Sequence, residues 1–129
     1  MSNPSNVTES IEELLSAEHR SFDELGRRLI AAIAHDEEAS RAIWHELRAV
    51  LAVHVEGEDR FLIPALARRQ AQEARALLAE HRLIRERVKE IDAALATGLP
   101  DLQAVQGFID ELNAHARHEK KVLYAHCDA

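Results

Sequence analysis

One pattern occurs twice in this chain and limits what it can fold into. A lone histidine is followed some 35 residues later by a histidine and a glutamate four apart. The first copy is His19 with His54-x-x-x-Glu58, and the second is His81 with His115-x-x-x-Glu119. The two intervals between histidines are 35 and 34 residues, and Glu18-His19-Arg20 is matched by Glu80-His81-Arg82. On a helix, residues four apart leave from one face, so each pair stacks an imidazole over a carboxylate. That is a small clamp for a metal ion. A single such pair is common in helical sequences; its weight depends on whether the other ligands arrive at the same height.

Apolar spacing predicts the helices that carry these residues. Ser10 and Glu13 form a capping box, after which Ile11, Leu14, Leu15, Phe22, Leu25, Leu29 and Ile33 recur at three and four. The one polar step in that stripe is Glu18 or His19. Acidic Asp36-Glu37-Glu38 suits a second helix start, followed by Ile43, Leu47, Val50, Leu51, His54, Glu58 and Phe61 on one stripe. Gly57 weakens this helix by roughly 1 kcal/mol relative to Ala and is read as easing close packing. Pro64 is expected to end or kink it, with residues 64–72 as a short helical or irregular connection. A third helix over about 71–97 carries Ala74, Leu77, His81, Ile84, Val88, Ile91 and Leu95, and stops at Gly98. Asp101 caps a fourth, with Val105, Phe108, Leu112, His115, Glu119 and Val122 inward. The expected fold is all-α, an antiparallel up-down-up-down four-helix bundle with a metal site in its core. Residues 1–9 form a flexible lead-in to a bundle over 10–129, built from hairpins at about 10–64 and 71–126.

In an antiparallel hairpin, residues equidistant from the turn lie level. The midpoint of 19 and 54 is 36.5, that of 81 and 115 is 98, and that of 58 and 81 is 69.5. All three fall in expected connections, so His19, His54, Glu58, His81, His115 and Glu119 share one level on the core-facing stripes. Two carboxylates buried together without a cation cost several kcal/mol each. A bound dication resolves that conflict. Four imidazoles and two carboxylates exceed one tetrahedral zinc and suit two metals bridged by the glutamates. The N/O set without thiolate points to non-haem iron ahead of manganese or zinc.

Composition excludes other classes. The formal net charge of −7 argues against nucleic acid. No apolar run is long enough to span a membrane. Met1-Ser2-Asn3-Pro4-Ser5-Asn6 shows no signal peptide. The single cysteine, Cys127, cannot form an internal disulfide, so a cytoplasmic setting is expected. No Ser/His/Asp arrangement, glycine-rich phosphate loop or CxxC supports a hydrolase, kinase or thiol-redox reading. Among the remaining histidines, His118, about 100° round from Glu119, is read as surface or at best a support to the ligands. His35, His45 and His126 are set aside. Glu18 and Glu80 are read as solvated, with a hydrogen bond to a ligand imidazole as the alternative. Tyr124 is read as packing, Cys127 as a free thiol, and Trp44, Phe22, Phe61 and Phe108 as core keeping the site dry.

These motifs, with Phe61-Leu62-Ile63-Pro64 following the first clamp, resemble the hemerythrin-like (HHE cation-binding) domains over residues 10 to 126. The resemblance implies a four-helix bundle with an oxo- or hydroxo-bridged di-iron centre, and chemistry ranging over reversible oxygen binding, sensing, and reaction with peroxide or nitric oxide. Oxygen-carrying members have a second third-helix histidine, four from the first. Here the positions four either side of His81 are Leu77 and Arg85. Their fourth-helix carboxylate is an Asp five after the histidine, where this chain has Lys120 and places Glu119 at four. One protein ligand fewer favours a site that reacts with or senses O2, peroxide or NO over a reversible carrier. The rival is a regulatory or interaction module whose folding or partner contact depends on iron or oxygen. A peroxide- or O2-consuming activity, and a protein partner or homo-oligomer, are open. A metal-free bundle is the third reading.

Overall fold

A computed structural model of the chain describes residues 4–98 and 101–124, with backbone alone for 4–12, 123 and 124. Its elements are α1 (Pro4–Ile33), α2 (Glu37–Gly57), a π-helical turn (Glu58–Leu62), α3 (Ile63–Ala67), α4 (Ala71–Ala96), α5 (Leu102–Glu119) and a second π-helical turn (Lys120–Tyr124). The described residues contain helices and turns only. Helix α1 packs on α2 and α5, α4 packs on α5, and α2 contacts α4, which closes an antiparallel four-helix bundle. No helix among the described residues is long and apolar enough to cross a membrane.

The turns follow from side-chain chemistry. Asp36 caps α2 by accepting from the Ala39 amide at 3.0 Å, and Asp101 caps α5 by accepting from the Gln103 amide at 2.9 Å. Gly98 follows α4 with φ +73°, the left-handed conformation expected there. Gly26 serves close packing rather than a turn. A Cβ there would sit 2.8 Å from Ile109 Cδ1, so its bare Cα lets α1 approach α5.

Two expectations about helix ends are corrected. Helix α1 starts at Pro4, not at Ser10; proline suits a first helical position, where its missing N–H is not needed. Pro64 does not end the second helix. Ile63 donates its amide to the Glu58 carbonyl, five residues back, and the chain continues helically to Ala67. In an α-helix the proline ring would strike the carbonyl four residues before it, and the wider turn just upstream relieves that clash. The reversal falls instead at residues 68–70, still centred near the expected 69.5.

The π-turn also corrects Phe61. It inserts one extra residue per turn, so the inward position after Glu58 passes from Phe61 to Leu62 and Ile63. Ile63 is 2% exposed and Phe61 is 70% exposed. Phe61 is therefore surface, whereas Phe22, Trp44 and Phe108 are core as expected. Leu14 also lies outside the core.

The core comes in two parts. A large apolar cluster, including Leu25, Leu29, Leu47, Leu51, Ile84, Ile91 and Phe108, fills the end of the bundle that holds the 34–36 and 97–98 turns. A smaller one, formed by Ile63, Leu66, Ala74 and Leu77 with Leu15, Leu62 and Val122 against it, closes the other end. Along the chain, Leu15 and Phe22 flank His19, Leu51 and Ile63 flank His54 and Glu58, Leu77 and Ile84 flank His81, and Leu112 and Val122 flank His115 and Glu119, one residue of each pair in each cluster. The polar layer is sealed above and below by hydrocarbon.

Candidate metal centre

The three turns bring all six residues together. Helix α1 supplies His19, α2 supplies His54, the first π-turn supplies Glu58, α4 supplies His81, and α5 supplies His115 and Glu119. His54, Glu58, His81, His115 and Glu119 are buried and His19 is half-buried. They form two groups, His19–His54–Glu58–Glu119 and Glu58–His81–His115–Glu119, each with one donor atom per residue within 4.8 Å of the others. Both glutamates belong to both groups.

The atoms divide cleanly. Glu119 Oε1 lies 3.1 Å from His19 Nε2 and 3.7 Å from His54 Nε2. Its Oε2 lies 3.1 Å from His81 Nε2 and 3.0 Å from His115 Nε2. Glu58 does the same, with Oε2 3.0 Å from His54 Nε2 and Oε1 3.3 Å from His81 Nε2. Each carboxylate thus offers one oxygen to each histidine pair. Within the pairs, His19 and His54 bring their Nε2 atoms to 3.1 Å, as do His81 and His115.

That last distance tests whether cations fit. Two imidazole nitrogens at 3.1 Å share one proton as an N–H···N hydrogen bond in the metal-free chain, and the same spacing suits two ligands of one ion. Two nitrogens each about 2.1 Å from one ion and about 95° apart at it would be separated by about 3.1 Å. The pairs are spaced as neighbouring ligands of a single ion. The residues present fit two divalent cations sharing two carboxylates.

Outer carboxylates orient the rings. The His54 Nδ1–H donates to Glu18 Oε1 at 3.0 Å, that of His115 to Glu80 Oε1 at 2.6 Å, and that of His81 to Asp59 Oδ1 at 2.6 Å. Holding the proton on Nδ1 leaves the Nε2 lone pair facing inward, and a carboxylate partner raises ligand basicity. Glu18 and Glu80 are thus hydrogen-bonded to imidazoles, not merely solvated, and each reaches the histidine of the neighbouring helix in its own hairpin. His118 is corrected too. It lies half-buried, with Nδ1 2.6 Å from Glu80 Oε2 and Nε2 3.3 Å from Glu73 Oε2. Asp59 escaped sequence reasoning; Arg85 donates to its second oxygen and fixes it. Its signal was available, as an acidic residue beside a clamp glutamate and opposite an arginine one turn after His81. Phe22 packs edge-on against the His54 ring, 5.1 Å between centroids. The Tyr124 side chain, His126 and Cys127 lie outside what the structure describes, while His35 and His45 are exposed.

Without a metal, protons take the cation's place. Burial pushes the His54 and His81 imidazoles down, but the Glu119 and Glu58 carboxylates outweigh it and bring both up to about 10. His115 is raised as well, since Glu119 overcomes the cost of burial. Burial pushes Glu119 up, and hydrogen bonds from His115, His19, His54 and His81 more than reverse that, holding it well below the usual carboxylate range. The layer demands positive charge, and a metal must displace those protons to enter.

A family model, hemerythrin HHE cation binding domain, matches residues 10–127. The chain therefore belongs to the hemerythrin HHE cation-binding domain family. No curated protein and no solved structure matches it.

Proposed function

We propose that this chain is a di-iron protein that reacts with, or senses, a small oxidant such as O2, hydrogen peroxide or nitric oxide. His19 and His54 would hold one iron and His81 and His115 the other, with Glu58 and Glu119 offering an oxygen to each. The single observation that carries this is the division of each glutamate's two oxygens between two histidine pairs. The N/O donor set without sulfur favours iron, with manganese or zinc as weaker occupants. When bound, iron would supply the electrons that a small oxidant takes up.

The residues do the rest. Glu18, Glu80 and Asp59 hold the Nδ1 protons and aim the rings. The apolar clusters on either side limit water and the escape of reactive products. The four imidazole nitrogens and four carboxylate oxygens would fill only about two thirds of the positions that two six-coordinate ions offer. Such open coordination favours reaction over reversible carriage.

The burial of two carboxylates among four imidazoles supports a second reading, in which iron loading controls folding and partner contact. Metal analysis, the visible spectrum in air and peroxide consumption separate the readings. Two irons per chain, oxo-to-iron charge-transfer bands and catalytic loss of peroxide are expected. Metal-dependent stability without turnover supports the regulatory reading. One zinc per chain, or no metal after reconstitution, contradicts the di-iron reading.

A further inference from the structure

The two hairpins are equivalent in ligands but not in how they cover them. Aligning His54 with His115 sets Val53 opposite Ala114, Gly57 opposite His118 and Phe61 opposite Val122. In the second hairpin His118 spans the groove between α4 and α5, reaching Glu80 and Glu73 across it, and the cavity of about 200 Å³ that remains there has His115 in its wall but not Glu119. Val122 packs against the smaller core cluster below it. In the first hairpin Gly57 has no side chain to do this, and a Cβ built on it meets nothing within 4 Å. Its backbone is ordinary helix, φ −60°, so neither packing nor conformation calls for glycine. What glycine does there is leave space. A cavity of about 230 Å³ opens at this point, with His54 and Glu58 in its wall beside Leu15, Leu62 and Gly57. Exposed Leu14, Val53 and Phe61 rim it.

We infer that this mouth is the route by which a small uncharged molecule reaches the site, on the His19–His54 side, and that Gly57 keeps it open. The inference rests on the di-iron reading for what the molecule meets at the end. A water molecule's share of liquid volume is about 30 Å³, so the cavity admits a diatomic gas or a peroxide with room to spare. Its rim is hydrocarbon, which costs a neutral diatomic little desolvation. Glu18 lines the same cavity, and its carboxylate opposes anions of equal size.

Gly57→Leu tests this, because the new side chain grows into empty space, and Gly57→Ala serves as the control with a single methyl. On metal-free protein the probe is xenon, followed by NMR under gas pressure. Xenon is expected to perturb Leu14, Leu15 and Leu62 in the natural chain and in Gly57→Ala, and not in Gly57→Leu. On iron-loaded protein the probe is nitric oxide in stopped flow. Gly57→Leu is expected to slow its binding at least tenfold with iron content unchanged, and azide is expected to enter the natural chain more slowly than nitric oxide. Absence of xenon from the mouth, or a nitric oxide rate untouched by Gly57→Leu, overturns the inference. Failure to load iron contradicts the di-iron reading alone, since the xenon result still decides whether the mouth admits an apolar guest.

Discussion

The two helical hairpins start from nearly the same pattern and end with different surroundings. In the first, His54 is held by Glu18 and the adjoining groove is open beside Gly57. In the second, Glu80 accepts from both His115 and His118, and His118 crosses a groove whose cavity does not include the glutamate ligand Glu119. The first hairpin also lends Asp59 to His81 of the second, a loan that Lys120 at the matching position cannot return. Ligand symmetry builds a site that two like ions can share. Asymmetry around it lets one side hold firm and the other admit something.

The largest effect expected from breaking this arrangement is at Glu119, whose oxygens meet all four imidazoles. Glu119→Ala should abolish binding of both ions, measured as metal per chain after loading and desalting. His19→Ala should lose mainly the first-hairpin ion. Equal loss in both variants would show that the halves do not bind separately. Next come the outer carboxylates, whose removal from metal sites typically costs about 10- to 100-fold in affinity. Glu80→Gln is expected at the upper end because it frees two imidazoles, and Glu18→Gln at the lower, by titration against a competing chelator. The reverse order would undo the contrast between the hairpins.

Protonation gives a smaller, graded effect. His54 and His81 rise from 6.5 unfolded to about 10 folded. In metal-free protein their contribution to stability is therefore full below pH 6.5 and is lost as pH climbs through 10. Glu119 is lowered, so its contribution is present above its unfolded value of 4.5 and is lost as pH falls through its lower folded value. Denaturant titration of the metal-free chain should show a plateau between these limits. Metal affinity should rise with pH as bound protons are released. An affinity flat from about pH 6 to 9 would mean the imidazoles are not protonated before loading. Smallest of all, Gly57→Ala should stabilise the metal-free chain by up to about 1 kcal/mol, read as a shifted denaturation midpoint. A loss would show that Gly57 is needed by the fold.

The bundle and the meeting of six side chains were legible because helix period and turn midpoints are arithmetic on residue numbers. His19 with His54 and His81 with His115 are level for that reason alone. Pro64 and Phe61 were misjudged because a π-turn adds a residue that the 3.6 period does not contain, and nothing local in Glu58–Leu62 announces it. Glu18, Glu80 and His118 were underweighted because a carboxylate or imidazole one position off the stripe can face water or a neighbouring helix, and only packing chooses. The repeat held the missing clue: a glutamate precedes each lone histidine, and each reaches across its hairpin.

Whether two ions share Glu58 and Glu119 is tested most directly by Mössbauer spectroscopy of the chain loaded with iron-57 and oxidised in air. Two equivalents of iron per chain, magnetically coupled to a diamagnetic ground state at low temperature, are expected of ions joined through bridging ligands. Isolated high-spin ferric iron, or a single equivalent, would contradict the account.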